Sequence, residues 1–226
     1  MKKLVIAIDG PAASGKSTTS KLIAERLGYL HVDTGAMYRA MTLKVLQEGM
    51  SVDETNAIGK LAEHTHIRLL QDRGKLKVLL DNQDVSREIR SQEVTKAVSA
   101  VSSIPKVREV MVREQRKMAE EGGVVLEGRD IGTVVFPNAD LKIFMVANVQ
   151  ERARRRKKEL EEQGINVTME QLVNEIVERD QKDSRRDVSP LRKADDALVL
   201  DTSDLTIEEQ VELIVEKSQK LLRNNA

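Results

Sequence analysis

The 226-residue chain carries 37 basic and 37 acidic residues for a formal net charge of zero, so no global field draws it to nucleic acid or to an acidic membrane surface. It has no cysteine, which excludes disulfides, thiol catalysis and cysteine-ligated zinc. With two tyrosines, two phenylalanines and no tryptophan, almost nothing is available to stack on single-stranded bases.

In chain order, residues 4–8 form a first apolar run of strand length. It is too short for a secretory leader and ends in Asp9, so it reads as a buried strand. Gly10-Pro11-Ala12-Ala13-Ser14-Gly15-Lys16-Ser17 follows and matches G-x-x-x-x-G-K-[ST], the loop whose backbone N–H groups and lysine cradle nucleotide phosphates. A helix over 16–27 completes the strand–loop–helix context, with Leu22, Ile23 and Leu27 on one side. The residues from Gly10 to Thr18 are therefore the candidate nucleoside-triphosphate site. Gly10 and Gly15 permit the turn and a close backbone approach. Lys16 supplies a mobile charge, and the Ser17 hydroxyl suits a phosphate-bound Mg²⁺.

A second strand at 29–32 ends at Asp33, and a helix over 37–48 follows. Residues 65–90 break the pattern. Runs at 67–70, 75–80 and 84–86 read as short strands, with turns at Asp72-Arg73-Gly74 and Asp81-Asn82. They form either a small antiparallel insertion or an edge extension of the main sheet. A helix over 106–120 precedes a strand at 124–126, which leads to Glu127, Arg129 and Asp130. A strand at 141–146 then runs into a helix over 149–162 whose segment 151–159 holds six basic residues. Arg155 and Glu159 suit an i,i+4 pair, whereas Arg152 and Arg156 share a face that can point toward a bound triphosphate. Gly164 ends that helix, and Thr168 with Gln171 is a capping box for the next, over 168–182. The mixed-charge stretch 179–187, a strand at 197–200 and a helix over 206–222 complete the chain. His31, His64 and His66 lack zinc spacing and suit core or surface roles. Apolar strands alternating with helices predict an α/β fold with a parallel central sheet between helical layers, its ligands beyond the carboxyl ends of the strands.

The phosphate loop alone leaves GTPases, transport ATPases, helicases, sulfotransferases and small-molecule kinases open. N-K-x-D is absent, and no hydrophobic strand capped by an acid in the motor-ATPase manner is evident. Isolated arginines on several elements instead suit phosphoryl transfer between two phosphorylated molecules, whose like charges need cationic compensation.

Several strings carry a specific resemblance. Ile8-Asp9-Gly10-Pro11, Asp33-Thr34-Gly35-Ala36-Met37-Tyr38-Arg39, Val85-Ser86-Arg87-Glu88-Ile89-Arg90, Val107-Arg108-Glu109, Gly128-Arg129-Asp130-Ile131-Gly132-Thr133-Val134-Val135-Phe136-Pro137, Glu178-Arg179-Asp180, Arg186 and Pro190-Leu191 together resemble the bacterial cytidylate kinases over nearly the whole length. The resemblance implies an adenylate-kinase-like P-loop fold. Its core would span about 1–60, 95–150 and 166–226, with a monophosphate-binding insertion at about 61–94 and an arginine-bearing helical lid at about 151–165. It implies phosphoryl transfer from Mg·ATP to CMP or dCMP. The acceptor set would be Thr34, Tyr38, Arg39, Ser99, Arg108, Arg129, Asp130, Arg179, Asp183 and Arg186. Lys16, Arg129, Arg152 and Arg156 would neutralise the transferring group. Ser17 would be the direct Mg²⁺ ligand, with Asp33 and Glu127 holding its waters; for Asp33 a cap on the following turn is the structural alternative.

A monomeric, cytoplasmic enzyme is expected, with no stable nucleic-acid partner and no membrane span. The rival readings are a related P-loop kinase for UMP or another small acceptor, an NTP-dependent RNA-binding or regulatory module using the basic helix, and a structural protein that holds nucleotide without turnover.

Overall fold

The first apolar run becomes the central strand of a sheet, and the phosphate loop leaves from its end. The computed structural model describes residues 3–72, 75–162 and 164–224. They form two compact units, one from the described parts of Met1–His31 and Gly122–Ala226, the other Val32–Glu121. The first unit opens with β1 (Val5–Asp9) and α1 (Lys16–Leu27), and β2 (Leu30–Asp33) carries the chain into the second.

The second unit comprises α2 (Thr34–Gln47), α3 (Thr55–His64), β3 (Ile67–Asp72), β4 (Lys75–Leu80), β5 (Gln83–Asp84), a 3₁₀ turn (Glu88–Arg90), α4 (Gln92–Ser103) and α5 (Pro105–Lys117). The 37–48 helix begins earlier than expected because Asp33 Oδ1 accepts the Ala36 N–H at 3.0 Å and caps α2 from Thr34. Neither α3 nor α4 was anticipated. In α4 a run rich in valine, serine and threonine has weak helical propensity. Burial of Val94, Val98 and Val101 on one face and the Ser91 cap on the Val94 N–H outweigh that preference. The short strands form a separate three-stranded antiparallel sheet in the order β3-β4-β5 rather than an edge extension. Asp81 and Asn82 both take left-handed φ, 47° and 71°, as a two-residue hairpin turn demands. The other expected turn, at Arg73-Gly74, lies outside the described residues. Met37, Met41, Ile58, Ile89, Val107 and Met111 fill this unit's core.

The chain returns to the first unit as β6 (Val124–Gly128), a π-helical turn (Ile131–Val135), β7 (Leu141–Val146), α6 (Val149–Glu161), α7 (Met169–Arg185), β8 (Leu198–Asp201) and α8 (Ile207–Asn224). The main sheet runs β2-β6-β1-β7-β8, with β1 parallel to both β6 and β7, and β7 parallel to β8. After β1 the chain crosses to one side of it, and after β6 to the other. The loop leaving β1 thus opens at a topological switch point, where open α/β sheets bind ligands.

Leu4, Ile6 and Ile8 pack with Ile23, Val125, Met145 and Ile214, joining the sheet to α1 and α8. Each such buried aliphatic side chain contributes about 1.5–3 kcal/mol. The α6–α7 pair has a small core of its own in Ala153, Leu172 and Ile176. Gly164 takes φ +75° after α6, and the Thr168–Gln171 capping box starts α7. Among the described residues no helix is long and apolar enough to cross a membrane.

Candidate active site

The phosphate loop is built against β7. Gly10 has φ +153°, and a Cβ there would lie 2.1 Å from the Met145 carbonyl oxygen, so only glycine fits. Ala13 and Gly15 also take positive φ, 58° and 93°, and Gly15 starts α1. The Pro11 carbonyl accepts from Lys16 Nζ at 2.6 Å and from Ser14 Oγ at 3.1 Å. Lys16 is 5% exposed. Burial pushes its ammonium down to about 7, the Arg129 and Arg179 charges act the same way, and Glu127 and Asp9 oppose them. Ser17 and Thr18 face solvent in the first turn of α1.

Three supports of this loop had no assigned role in the sequence. Asp9 accepts the Ile131 N–H at 2.8 Å and the Gly132 N–H at 2.7 Å, which ties the end of β1 to the turn after Gly128-Arg129-Asp130. Burial raises its carboxyl to about 6 against the pull of those two N–H groups. Thr202, fully buried beyond β8, donates to the Ser14 carbonyl at 3.0 Å. Arg155 donates from Nη1 to the Thr202 hydroxyl at 3.1 Å. The only advance signal was Asp9's place in the Ile8-Asp9-Gly10-Pro11 string. Thr202 lies 188 residues from Ser14 in sequence, and local patterns do not report such a contact.

The short apolar strand β6 carries a buried acid next to its end: Glu127 Oε2 accepts the Ser17 hydroxyl at 2.7 Å, and Oε1 lies 3.0 Å from His31 Nε2. Glu127 is 3% and His31 6% exposed. Ser17 and Glu127, 110 residues apart, thus meet as one hydroxyl and one carboxylate, hard oxygen donors of the kind Mg²⁺ takes. Asp33 belongs to the second unit and caps α2.

Several arginines of the first unit are fastened to acids. Arg129 donates from Nε to Asp183 Oδ2 at 2.8 Å. Burial works to raise the Asp183 carboxyl, but Arg129, Arg179 and Arg186 outweigh it and hold the group below the usual range. Arg186 Nη2 lies 3.9 Å from Asp130 Oδ1, both side chains buried. Arg152 turns inward, donating to the Ala12 carbonyl at 3.2 Å and pairing with Asp180 at 2.6 Å. Arg156 does not join it. Its guanidinium pairs with Glu159 at 2.9 Å, which leaves Arg155 to pair with Glu151 instead of the expected Glu159. Arg155, one position before Arg156, is the residue that reaches the loop's support.

The remaining acceptor candidates lie within the second unit, where Arg108 and Tyr38 are in contact. Thr34 is buried as the first residue of α2. Arg39 donates to Thr95 Oγ1 at 2.9 Å and to the Ile89 carbonyl at 3.2 Å. Arg108, 3% exposed, donates to the Ser102 carbonyl at 3.1 Å, and its guanidinium carbon lies 5.2 Å from the Tyr38 ring centroid, a cation–π stack. Ser99 is half-buried on α4.

With this geometry in hand, the likeness to known proteins is specific. A family model described as Cytidylate kinase matches residues 6–220. A Bacillus subtilis (strain 168) protein named Cytidylate kinase is 47% identical over 98% of this chain and 99% of its own length. A Desulforamulus reducens protein of the same name is 55% identical over 93% and 94%. A solved structure of an uncharacterized protein from Eubacterium ventriosum superposes with a TM-score of 0.52 at 12% identity, covering 96% of this chain and 99% of that one; that likeness concerns the fold alone.

Proposed function

The chain belongs to the cytidylate kinase family, and from that premise we propose that it transfers the γ-phosphoryl group of ATP to the phosphate of CMP or dCMP, giving ADP and CDP or dCDP. The observation that carries the reading is the family match over residues 6–220, which takes in the phosphate loop, both sets of arginines and every assigned residue.

An acceptor phosphate oxygen attacks the γ-phosphorus in line with the departing ADP oxygen. The acceptor's second ionisation lies near pH ~6, so at neutral pH it is already a dianion and needs no strong general base. The protein's work is then positioning and charge compensation. Lys16, held at the loop by the Pro11 carbonyl, neutralises the transferring group. Arg129 is aimed by Asp183 and bridges acceptor phosphate and transferring group. Arg152 adds charge from the 151–165 lid, as does Arg156 once it leaves its exposed pair with Glu159. Loss of one such donor costs about 3 kcal/mol of transition-state stabilisation, roughly two decades in rate. Arg39, Arg108 and Arg186 take the acceptor phosphate. Thr34, Tyr38, Ser99, Asp130, Arg179 and Asp183 serve its base and sugar. A site that hydrogen-bonds the exocyclic amine of cytosine rejects uridylate, whose groups would be mismatched and unpaired.

The Ser17 hydroxyl and Glu127 fit a divalent cation brought in by the nucleotide, Ser17 directly and Glu127 through water. Bound there, Mg²⁺ would supply charge neutralisation to the phosphates of the nucleotide. A single chain supplies every residue assigned here, so a monomer suffices, at work in the cytoplasm where both nucleotides are made and used.

The test is transfer of label. With ATP labelled in its γ-phosphate, the label appears in CDP as fast as ADP forms. Label released only as inorganic phosphate would replace the kinase reading with that of a nucleotide hydrolase or switch.

A further inference from the structure

Behind the Ser17–Glu127 pair stands His31, buried as Glu127 is. It lies on β2, which is laid beside β6 by the Leu30 N–H donating to the Gly123 carbonyl at 2.8 Å. Its Nε2 is 3.0 Å from Glu127 Oε1, while Glu127 Oε2 takes the Ser17 hydroxyl at 2.7 Å. A carboxylate oxygen is an acceptor, so the His31 tautomer that suits this contact is the one with its hydrogen on Nε2. Both carboxylate oxygens are then engaged by groups from different elements, which orients the side chain.

That orientation matters because a serine hydroxyl has one hydrogen and two lone pairs. With the hydrogen committed to Glu127, the lone pairs of Ser17, which faces solvent, are directed away from the carboxylate. Lys16 lies within electrostatic reach of the same carboxylate and competes for it.

We propose that His31 is a positioning residue for the metal–nucleotide complex: it holds Glu127 on Ser17, and so presents the Ser17 hydroxyl oxygen to the cation on the nucleotide. Removing the His31 donor takes away the contact at Glu127 Oε1 that helps hold the carboxylate in place. Residues that orient a metal's ligands in this way typically change metal affinity by about ten- to a hundredfold. This inference rests on the reading of the site as one that takes Mg·ATP.

The experiment measures Mn²⁺ binding to the protein–ADP complex by electron paramagnetic resonance, alongside ATP affinity in excess EDTA. The variants are His31→Leu and His31→Phe, which lack a donor, and His31→Gln, which keeps an N–H of similar reach. Thermal melting shows which are folded; the aromatic variant fills the cavity if the leucine variant does not fold. The inference expects Mn²⁺ affinity to fall about tenfold in the donor-less variants. Metal-free ATP affinity should stay within about twofold, and His31→Gln should recover most of the loss. Unchanged Mn²⁺ affinity, or an equal loss in metal-free ATP binding, overturns it. Absence of metal-assisted nucleotide binding in the unaltered protein overturns the kinase reading, and this inference with it.

Discussion

Nucleotide binding should draw a proton from solution, and Lys16 is the group that takes it. Its ammonium is buried beside Arg129 and Arg179, which brings it from an ordinary 10.5 to about 7. That displacement corresponds to roughly 5 kcal/mol held against the charged form. In the ligand-free chain the folded value lies below the unfolded one. The unfolded state therefore binds more protons between about pH 7 and 10.5, and this group adds stability as pH rises through that window. A triphosphate reverses the local field and restores the charge. At about pH 8 only ~10% of Lys16 is protonated beforehand, so binding takes up ~0.9 proton; at about pH 6 the uptake is only ~0.1. Isothermal titration of a non-hydrolysable Mg·ATP analogue in buffers of different ionisation enthalpy measures the number directly. Lys16→Met should remove it. Uptake below ~0.2 proton at about pH 8, or equal uptake in Lys16→Met, would refute the reasoning.

Gly10→Ala should abolish nucleotide binding while the second unit keeps its fold, because the added Cβ would sit 2.1 Å from the Met145 carbonyl oxygen; nucleotide titration and amide exchange on residues 32–121 check both halves. Asp183→Asn should cost about 3 kcal/mol at neutral pH by leaving Arg129 without its buried carboxylate. The Asp183 carboxyl is held low in the fold. Its contribution is therefore complete above about pH 4 and lost on further acidification, so unfolding curves of the two proteins should converge there. Arg39→Ala should lower kcat/KM for CMP by about a hundredfold, or ~3 kcal/mol, and leave Mg·ATP affinity within about twofold. Equal losses in both would show that Arg39 is not an acceptor contact.

What could be read in advance was whatever local pattern controls. Strand, glycine loop and helix at residues 5–27 follow from an apolar run, two positive-φ glycines and an amphipathic stretch. The Thr168–Gln171 box and the Asp81-Asn82 turn were legible for the same reason. The α4 helix was not, because its valines and serines favour other states and only their burial on a shared face settles the matter. Glu127 was recognised as a candidate, but its partners Ser17 and His31 lie 110 and 96 residues away in sequence. Sharing a face with Arg152 does not decide where the Arg156 guanidinium goes; Asp180 and the Ala12 carbonyl hold Arg152, and Glu159 takes Arg156. Asp9 illustrates the limit most sharply. In sequence it only ends the first apolar run, whereas in the fold the turn at 131–132 closes over it with two N–H donors.

The central claim is the identity of the phosphoryl acceptor, and a competition assay tests it most directly. The purified protein is given Mg·ATP with CMP, dCMP, UMP, AMP and GMP together, and the diphosphates formed are separated and timed. The account predicts that CDP and dCDP appear first and that UDP, ADP from AMP, and GDP trail by at least about two decades. Preferential formation of UDP, or loss of ATP with no nucleoside diphosphate other than ADP, would contradict it.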